Sequence, residues 1–177
     1  MSSENRVRIA TLTLSDTRTP EDDEGGKTLG DLLRSHGFEV VSHEILREEP
    51  ALLRAAVEQI CYGRKADALV LTGGTGISPR DRTIETLAPL FDKVLDGFGE
   101  TFRRLSWDQV GPNAILSRAV AGVVRGVVVA ALPGSVKGVR LGVDALIAPT
   151  LAHAVALAQG RAVHHGRGGE KREPSAR

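Results

Sequence analysis

The residues best suited to chemistry lie in a glycine-rich segment, Thr72-Gly-Gly-Thr-Gly-Ile-Ser-Pro-Arg-Asp81. Consecutive glycines adopt backbone conformations that turn several N–H groups toward one point, and such a nest binds phosphate with no side chain in the way. The hydroxyls of Thr72, Thr75 and Ser78 would add further donors. The alternative is a tight turn that needs glycine only for its shape. The polar residues that surround the glycines favour the phosphate site.

Two well-known phosphate motifs are excluded by the spacing. No Gly-Lys-Ser/Thr follows, so the segment is not a P-loop, and Gly73, Gly74 and Gly76 do not fit the Gly-x-Gly-x-x-Gly of dinucleotide-binding proteins. A helix is predicted to begin near Thr83, and its positive end would point at the same anion.

Asp81 follows the glycines closely and suggests a metal ion. A carboxylate beside a bound phosphate is unfavourable unless a cation lies between them, and Mg²⁺ accepts oxygens from both groups. Arg80 and Arg82 flank this residue. A surface ion pair or a helix cap is therefore the alternative role for Asp81.

Two other polar segments also follow predicted strands. Ser15-Asp16-Thr17 comes directly after the apolar run Val7–Leu14, where its polar groups could meet a ribose, a base or a metal, or form an ordinary turn. Leu132-Pro-Gly-Ser135 precedes Lys137 and predicts a helix capped by Ser135, which is either an anion site or simple N-capping. His36 and His43 are isolated in the sequence and predict structural or surface roles.

Strand and helix patterns alternate along the chain, which predicts an α/β fold with helices on both faces of the sheet. Ligands of such a fold are expected at the carboxyl ends of its strands. Residues 15–26 are predicted to be a loop. A break at Pro149 is predicted to separate the last two helices. The predicted strands cover 7–14, 39–46, 68–72, 120–124 and 126–132, and the predicted helices cover about 29–36, 50–63, 83–91, 97–110, 136–147 and 151–159.

Composition restricts the functional class. The 177 residues carry a net charge of +1, and residues 161–177 account for +3 of it, which leaves −2 for the rest. That balance argues against a general nucleic-acid binder. We expect a short N-terminal extension (1–6), one domain (7–160) and a disordered basic tail (161–177). The single cysteine, the polar N-terminus and the lack of a long apolar run predict a cytoplasmic protein without membrane contact.

Four motifs together resemble one protein family, the molybdenum cofactor biosynthesis proteins of the MoaB/MogA group. Their order and spacing match over about Val7 to Gln159, and the segments 89–92 and 103–106 are more similar to the B branch than to the A branch. The motifs are Thr72-Gly-Gly-Thr-Gly76 with Asp81, Gly97-Phe-Gly-Glu100, Ser117-Arg-Ala-Val-Ala-Gly122 and Leu132-Pro-Gly-Ser135.

The resemblance implies a three-layer α/β/α sandwich with a mostly parallel mixed sheet, assembled as a trimer or hexamer. It implies a molybdopterin adenylyltransferase, which transfers AMP from ATP to molybdopterin with Mg²⁺ and releases pyrophosphate. Contacts with other proteins of the same pathway are a further possibility. Asp81 matches the family's catalytic, metal-binding aspartate, and Glu48 lies where active members usually carry a second aspartate. The implied ligand-binding residues are Asp16, Thr72, Gly73, Gly74, Thr75, Gly76, Ser78, Glu100, Gly134 and Ser135.

Two other functions remain open from the sequence. A non-catalytic molybdopterin-binding scaffold or carrier would use the same motifs without turnover, because a fold does not guarantee a reaction. A nucleotide or phosphosugar enzyme of another type would explain the glycine segment and leave the other three motifs without a role.

Overall fold

The computed structural model describes residues 6–161, which form a six-stranded sheet with helices on both faces. The predicted extension and the predicted basic tail therefore fall almost entirely outside the described residues. The strands are β1 (Arg8–Leu14), β2 (Glu39–Leu46), β3 (Ala68–Thr72), β4 (Lys93–Val94), β5 (Val120–Val124) and β6 (Val127–Leu132). The helices are α1 (Glu24–Ser35), α2 (Pro50–Tyr62), α3 (Thr83–Leu87), α4 (Asp96–Val110), α5 (Val136–Gly142) and α6 (Ala148–Ala158).

The order of the strands, β2-β1-β3-β6-β5-β4, places β1 between β2 and β3. The chain leaves β1 in one direction to form β2 and then returns to the other side of β1 to form β3. The first four strands in this order are parallel, whereas β5 is antiparallel to β6 and β4 is antiparallel to β5. The mostly parallel mixed sheet expected from the sequence is thus confirmed, and the reversal between β1 and β3 opens a crevice at their carboxyl ends.

Two apolar clusters fill the space between the sheet and its helices. Leu29 and Leu33 of α1 pack with residues of α4, α5 and α6 on one face, while Leu53 and Val57 of α2 pack on the other. Successive strand residues alternate between these two clusters, as the two-residue repeat of a strand requires. The three-layer sandwich is the result.

The β5–β6 hairpin has a two-residue turn, as its sequence predicts. Arg125 and Gly126 both have positive φ, 50° and 83°, which is typical of the type I′ turn that suits the twist of paired strands. The neighbouring strand β4 was not predicted, because two residues carry no periodic pattern. A 3₁₀ segment, Gly111–Leu116, was also missed.

The predicted break at Pro149 is wrong. The chain stays helical from Val136 to Ala158, with a π-helical stretch at Val143–Ile147. The wider turn takes up the change of hydrogen bonding that a proline imposes, and the Ala148 N–H donates to the Val143 carbonyl. The start of α1 differs too, since it begins at Glu24 inside the predicted loop 15–26.

By length and composition, Val136–Ala158 is the one helical run among the described residues that could cross a membrane. Val139, Val143 and Leu151 on this run are buried in the cluster against the sheet. Packing against the sheet thus accounts for part of the apolar character of this run, and the absence of membrane contact stays a prediction.

Candidate functional site

A cleft of about 460 Å³ opens where the carboxyl ends of β1, β3 and β6 meet. It lies at the reversal of strand order, where open α/β sheets bind their ligands. Its walls come from the segments that follow those three strands, with additions from α1, Glu48 and the 3₁₀ segment. The lining residues are Thr13, Leu14, Ser15, Arg18, Asp23, Gly25, Glu48, Thr72, Gly73, Gly74, Thr75, Gly76, Asp81, Leu116, Ser117, Pro133 and Gly134.

The glycine-rich loop, residues 73–76, adopts a backbone that only glycine accommodates at two positions. Gly73 and Gly74 have φ of 102° and 63°. An added Cβ at Gly73 would lie 2.3 Å from the Leu14 carbonyl oxygen, and one at Gly74 would lie 2.3 Å from Oγ1 of Thr83. The glycines thus allow the ends of β1 and β3 and the start of α3 to approach closely.

Some backbone N–H groups of the glycine-rich loop make no hydrogen bond within the described part of the protein, and others do. The Gly73 N–H donates to the Leu132 carbonyl over 3.1 Å, and the Thr83 N–H donates to the Gly74 carbonyl over 3.1 Å. Within residues 6–161 the N–H groups of Gly74, Thr75 and Gly76 have no hydrogen-bond acceptor. They are the donors suited to an anion. The first N–H of α3, that of Thr83, is occupied by its bond to the Gly74 carbonyl, and the direction of the helix's positive end toward an anion stays a prediction.

Two carboxylates, Glu48 and Asp81, line the same cleft. The Ser78 N–H donates to Oδ2 of Asp81 over 2.9 Å, which fixes one carboxylate oxygen. Partial burial raises the pKa of Glu48, and the negative charge of Asp81 raises it further. Glu48 is therefore close enough to Asp81 for the two charges to oppose each other, and a cation between them would relieve that repulsion.

The donor set fits Mg²⁺. This ion is usually held by one or two carboxylates together with waters and substrate phosphates, not by a cage of protein ligands. Residues 6–161 contain no cluster of three or more His, Cys, Asp or Glu side chains suited to a metal, so any ion here would depend on ligand and water oxygens as well. Asp81 and Glu48 are the residues that would hold the ion.

Four residues predicted to bind ligand lie outside the lining of the cleft. Asp16 forms ion pairs with Arg80 and Arg47 and accepts the Glu48 N–H over 3.2 Å. Ser135 caps α5, its Oγ accepting the Gly138 N–H over 3.1 Å. Ser78 and Glu100 are exposed. The other eight of the twelve predicted site residues line the cleft together: Glu48, Thr72, Gly73, Gly74, Thr75, Gly76, Asp81 and Gly134. The binding roles of all twelve stay predictions.

The sequence reasoning missed Asp23, a buried acid in the wall of the cleft. Its carboxylate accepts hydrogen bonds from Oγ1 of Thr13 over 2.7 Å, the Gly26 N–H over 2.8 Å and Nε2 of His43 over 3.1 Å. It caps α1 and holds Gly25, the second residue of that helix, at the cleft. An acid directly before a helix is an N-cap pattern, so the sequence contained the means to find it.

The excess of negative charge in the cleft favours a ligand that is bound to a cation. Asp23, Glu48 and Asp81 line it, against a single basic side chain, Arg18. A phosphate bound to the loop amides would face this acidic excess, and a divalent ion would offset it. The cleft therefore suits a phosphorylated ligand carrying a metal ion better than a bare anion.

Comparison with known proteins finds relatives of this chain by sequence and by fold. The family model described as "Probable molybdopterin binding domain" matches residues 10–153. Molybdenum cofactor biosynthesis protein B of Bacillus subtilis is 45% identical over 150 residues, which cover 84% of this chain and 88% of that protein. A crystal structure of a molybdenum cofactor biosynthesis protein B superimposes with a TM-score of 0.86 at 39% identity, covering 90% of this chain and 99% of that one.

A second solved structure, the tungsten cofactor synthesizing protein MoaB from Pyrococcus furiosus, has a TM-score of 0.78 at 37% identity, covering 87% of this chain and 98% of that one. Sequence and fold lead to the same group. The chain belongs to the MoaB/MogA family of molybdenum cofactor biosynthesis proteins, with a probable molybdopterin binding domain over most of its length.

Proposed function

We propose that this protein is a molybdopterin adenylyltransferase that transfers AMP from ATP to molybdopterin and releases pyrophosphate. The observation that supports the proposal most directly is the meeting of two features in one cleft. The free amides of Gly74, Thr75 and Gly76 are donors for a phosphate, and the carboxylates of Glu48 and Asp81 are ligands for a divalent ion. A phosphoryl-transfer reaction needs both.

In this proposal the protein acts mainly by positioning. The terminal phosphate of molybdopterin attacks the α-phosphorus of ATP, and pyrophosphate leaves in line with the attack. The loop amides hold one phosphate group, and the backbone at Gly134, which lies beside Gly73, contacts the pterin. Holding both reactants in line supplies much of the rate enhancement in such reactions.

Charge stabilisation comes from the same residues. Asp81 and Glu48 would hold Mg²⁺, which would supply neutralisation of charge on the triphosphate and the departing pyrophosphate. Asp16 acts through Glu48, since its carboxylate accepts the Glu48 N–H and fixes the backbone of that residue. Arg18 is the cationic side chain in the lining that is available to a phosphate.

Pyrophosphate release tests the proposal against the binding scaffold. Purified protein is incubated with molybdopterin, ATP and Mg²⁺, and pyrophosphate is measured over time, with EDTA and omission of molybdopterin as controls. We expect release that requires all three components. Binding of molybdopterin without any release of pyrophosphate would instead support the scaffold or carrier.

We also propose that the chain assembles into a trimer or hexamer through an apolar surface formed by α4 and the 3₁₀ segment. Trp107 and Ile115 are 52% and 69% exposed there, and Val110 and Leu116 are also exposed. Contiguous apolar side chains of this size on a surface indicate an interface. We expect light scattering to give three or six times the chain mass.

A substitution at this surface tests the assembly. Ile115→Glu should shift the mass toward a single chain, whereas Leu52→Glu, on α2 at the opposite face of the sheet, should leave it unchanged. A wild-type protein with the mass of one chain would rule out the assembly and leave the proposed reaction open.

A further inference from the structure

Arg118 connects the two ends of the loop that carries Asp81. It follows the cleft residue Ser117 and lies two residues before β5 begins, and its side chain is 30% exposed. Its Nε donates to the Gly76 carbonyl over 2.9 Å, and its Nη2 donates to the Asp81 carbonyl over 3.1 Å. One guanidinium thus bridges the first and last residues of the segment 76–81.

The guanidinium is itself held by an ion pair with α3. Nη1 of Arg118 donates to Oε1 of Glu85, and Nη2 lies 3.4 Å from Oε2. The hydrogen bond from Arg118 lowers the pKa of Glu85, so that this acid is ionised at neutral pH. The planar fork of donors lets one side chain satisfy the carboxylate and both carbonyls together, which the single ammonium of lysine does not reproduce.

These contacts restrict the segment that contains Asp81. A peptide unit is planar and trans, so a carbonyl anchored to Arg118 also fixes the direction of the following N–H. The Ser78 N–H to Asp81 Oδ2 bond and the Asp81 N–H to Ser78 carbonyl bond, both 2.9 Å, then fix the carboxylate within the segment. We propose that Arg118 is a positioning residue that holds the Asp81 carboxylate in the cleft. Its effect on catalysis rests on the proposed function.

Hydrogen exchange of the full-length protein without ligand tests the contact independently of any activity. Arg118→Ala should accelerate exchange of the Ser78 and Asp81 amides by roughly tenfold or more, because two charge-assisted hydrogen bonds are lost. Arg118→Lys keeps the charge and should give an intermediate increase. Amides of β3 and α1 should exchange at the wild-type rate in both variants, which shows that they fold. Unchanged exchange at Ser78 and Asp81 would overturn the proposal.

Kinetics then tests the positioning role. Arg118→Ala should lower kcat for pyrophosphate release by about 100-fold, the typical cost of misplacing a reacting group by an ångström, while the KM for molybdopterin changes by less than about threefold. Free methylguanidine should restore part of the rate. Arg54→Ala removes the same charge from α2, where Arg54 pairs with Glu58, and should change neither constant.

The outcomes separate the two proposals. A mobile loop with an unchanged kcat would overturn the positioning role, and a change in KM alone would do the same. If the wild-type protein releases no pyrophosphate, the adenylyltransferase proposal fails. The role of Arg118 is then decided by measuring Mg²⁺ binding with titration calorimetry. The positioning role requires that Arg118→Ala bind Mg²⁺ more weakly than Arg54→Ala does, and equal binding would overturn it.

Discussion

Gly73→Ala is the substitution for which the structure predicts the largest effect at the cleft. Gly73 has φ of 102°, which side-chain-bearing residues rarely adopt. The new Cβ would also lie 2.3 Å from the Leu14 carbonyl oxygen, a backbone atom of β1 that has no side-chain freedom to move away. The variant must either change the conformation of the loop or separate the ends of β1 and β3.

The expected cost follows from these two effects. A residue held in a sparsely populated backbone region costs about 1–3 kcal/mol. Forcing an extra methyl group into a packed site costs about 1–3 kcal/mol more. Gly73→Ala should therefore lower the free energy of unfolding by about 2–6 kcal/mol, a large part of the stability of a typical domain.

Urea denaturation followed by circular dichroism measures this cost. With a slope of about 2 kcal/mol per molar urea, the midpoint should fall by about 1–3 M. Gly97→Ala in α4 is the matched control, because its Cβ would meet no atom within 4 Å and its φ is not positive. That variant should be unchanged or more stable by up to about 1 kcal/mol. Equal midpoints for the two variants would refute the strain argument.

Three other predictions concern residues with separate roles. Asp81→Asn should lower pyrophosphate release by orders of magnitude while molybdopterin still binds in calorimetry, since the amide is a poor Mg²⁺ ligand; near wild-type turnover would remove Asp81 from the catalytic set. Asp67 is partly desolvated, which raises its pKa, but hydrogen bonds from the Arg8 N–H and Gln159 and the charge of Arg8 outweigh this and lower it below 3.8. Its ionised form therefore stabilises the fold above pH 3.8, and this stabilisation is lost as pH falls through the lower folded pKa. Asp67→Asn should cost about 1–3 kcal/mol in urea melts at pH 7 and less at pH 2, and an equal cost at both would contradict the assignment. Burial raises the pKa of Cys61 to about 12, so iodoacetamide at pH 8 should label the thiol only after denaturation, and rapid labelling of the native protein would show that this thiol is accessible.

The sequence predicted the parts of the fold that have a repeating pattern. The predicted bounds of β2 and β3, Glu39–Leu46 and Ala68–Thr72, match the structure. The short apolar run of β3 identifies a buried strand, whereas β2 is a largely exposed strand at the edge of the sheet. The break predicted at Pro149 failed for a physical reason. Tertiary packing keeps that run helical, and the π-helical turn before Pro149 accommodates the hydrogen bond that a proline cannot make.

The contacts around the site were beyond prediction from local pattern, because they join residues far apart in the chain. The bond between Asp23 and His43 spans 20 residues, and the bond from Arg118 to Gly76 spans 42. Neither residue type stands out by itself, since an arginine before a strand or a histidine on an edge strand has many ordinary roles. The glycine segment was found because its chemistry lies in consecutive residues.

The arrangement of the cleft follows from the order of the strands. Since β2 and β3 flank β1 on opposite sides, the segments after β1 and β3 diverge to opposite faces of the sheet and leave a gap between them. Gly73 and Gly74 let the loop after β3 remain close to the end of β1 across that gap. The backbones of the two acids are then held from outside it, the Asp81 carbonyl by Arg118 and the Glu48 N–H by Asp16. In the proposed reaction these bonds fix the positions of the two metal-binding residues, and substitutions at Arg118 and Asp16 should affect rate more than binding.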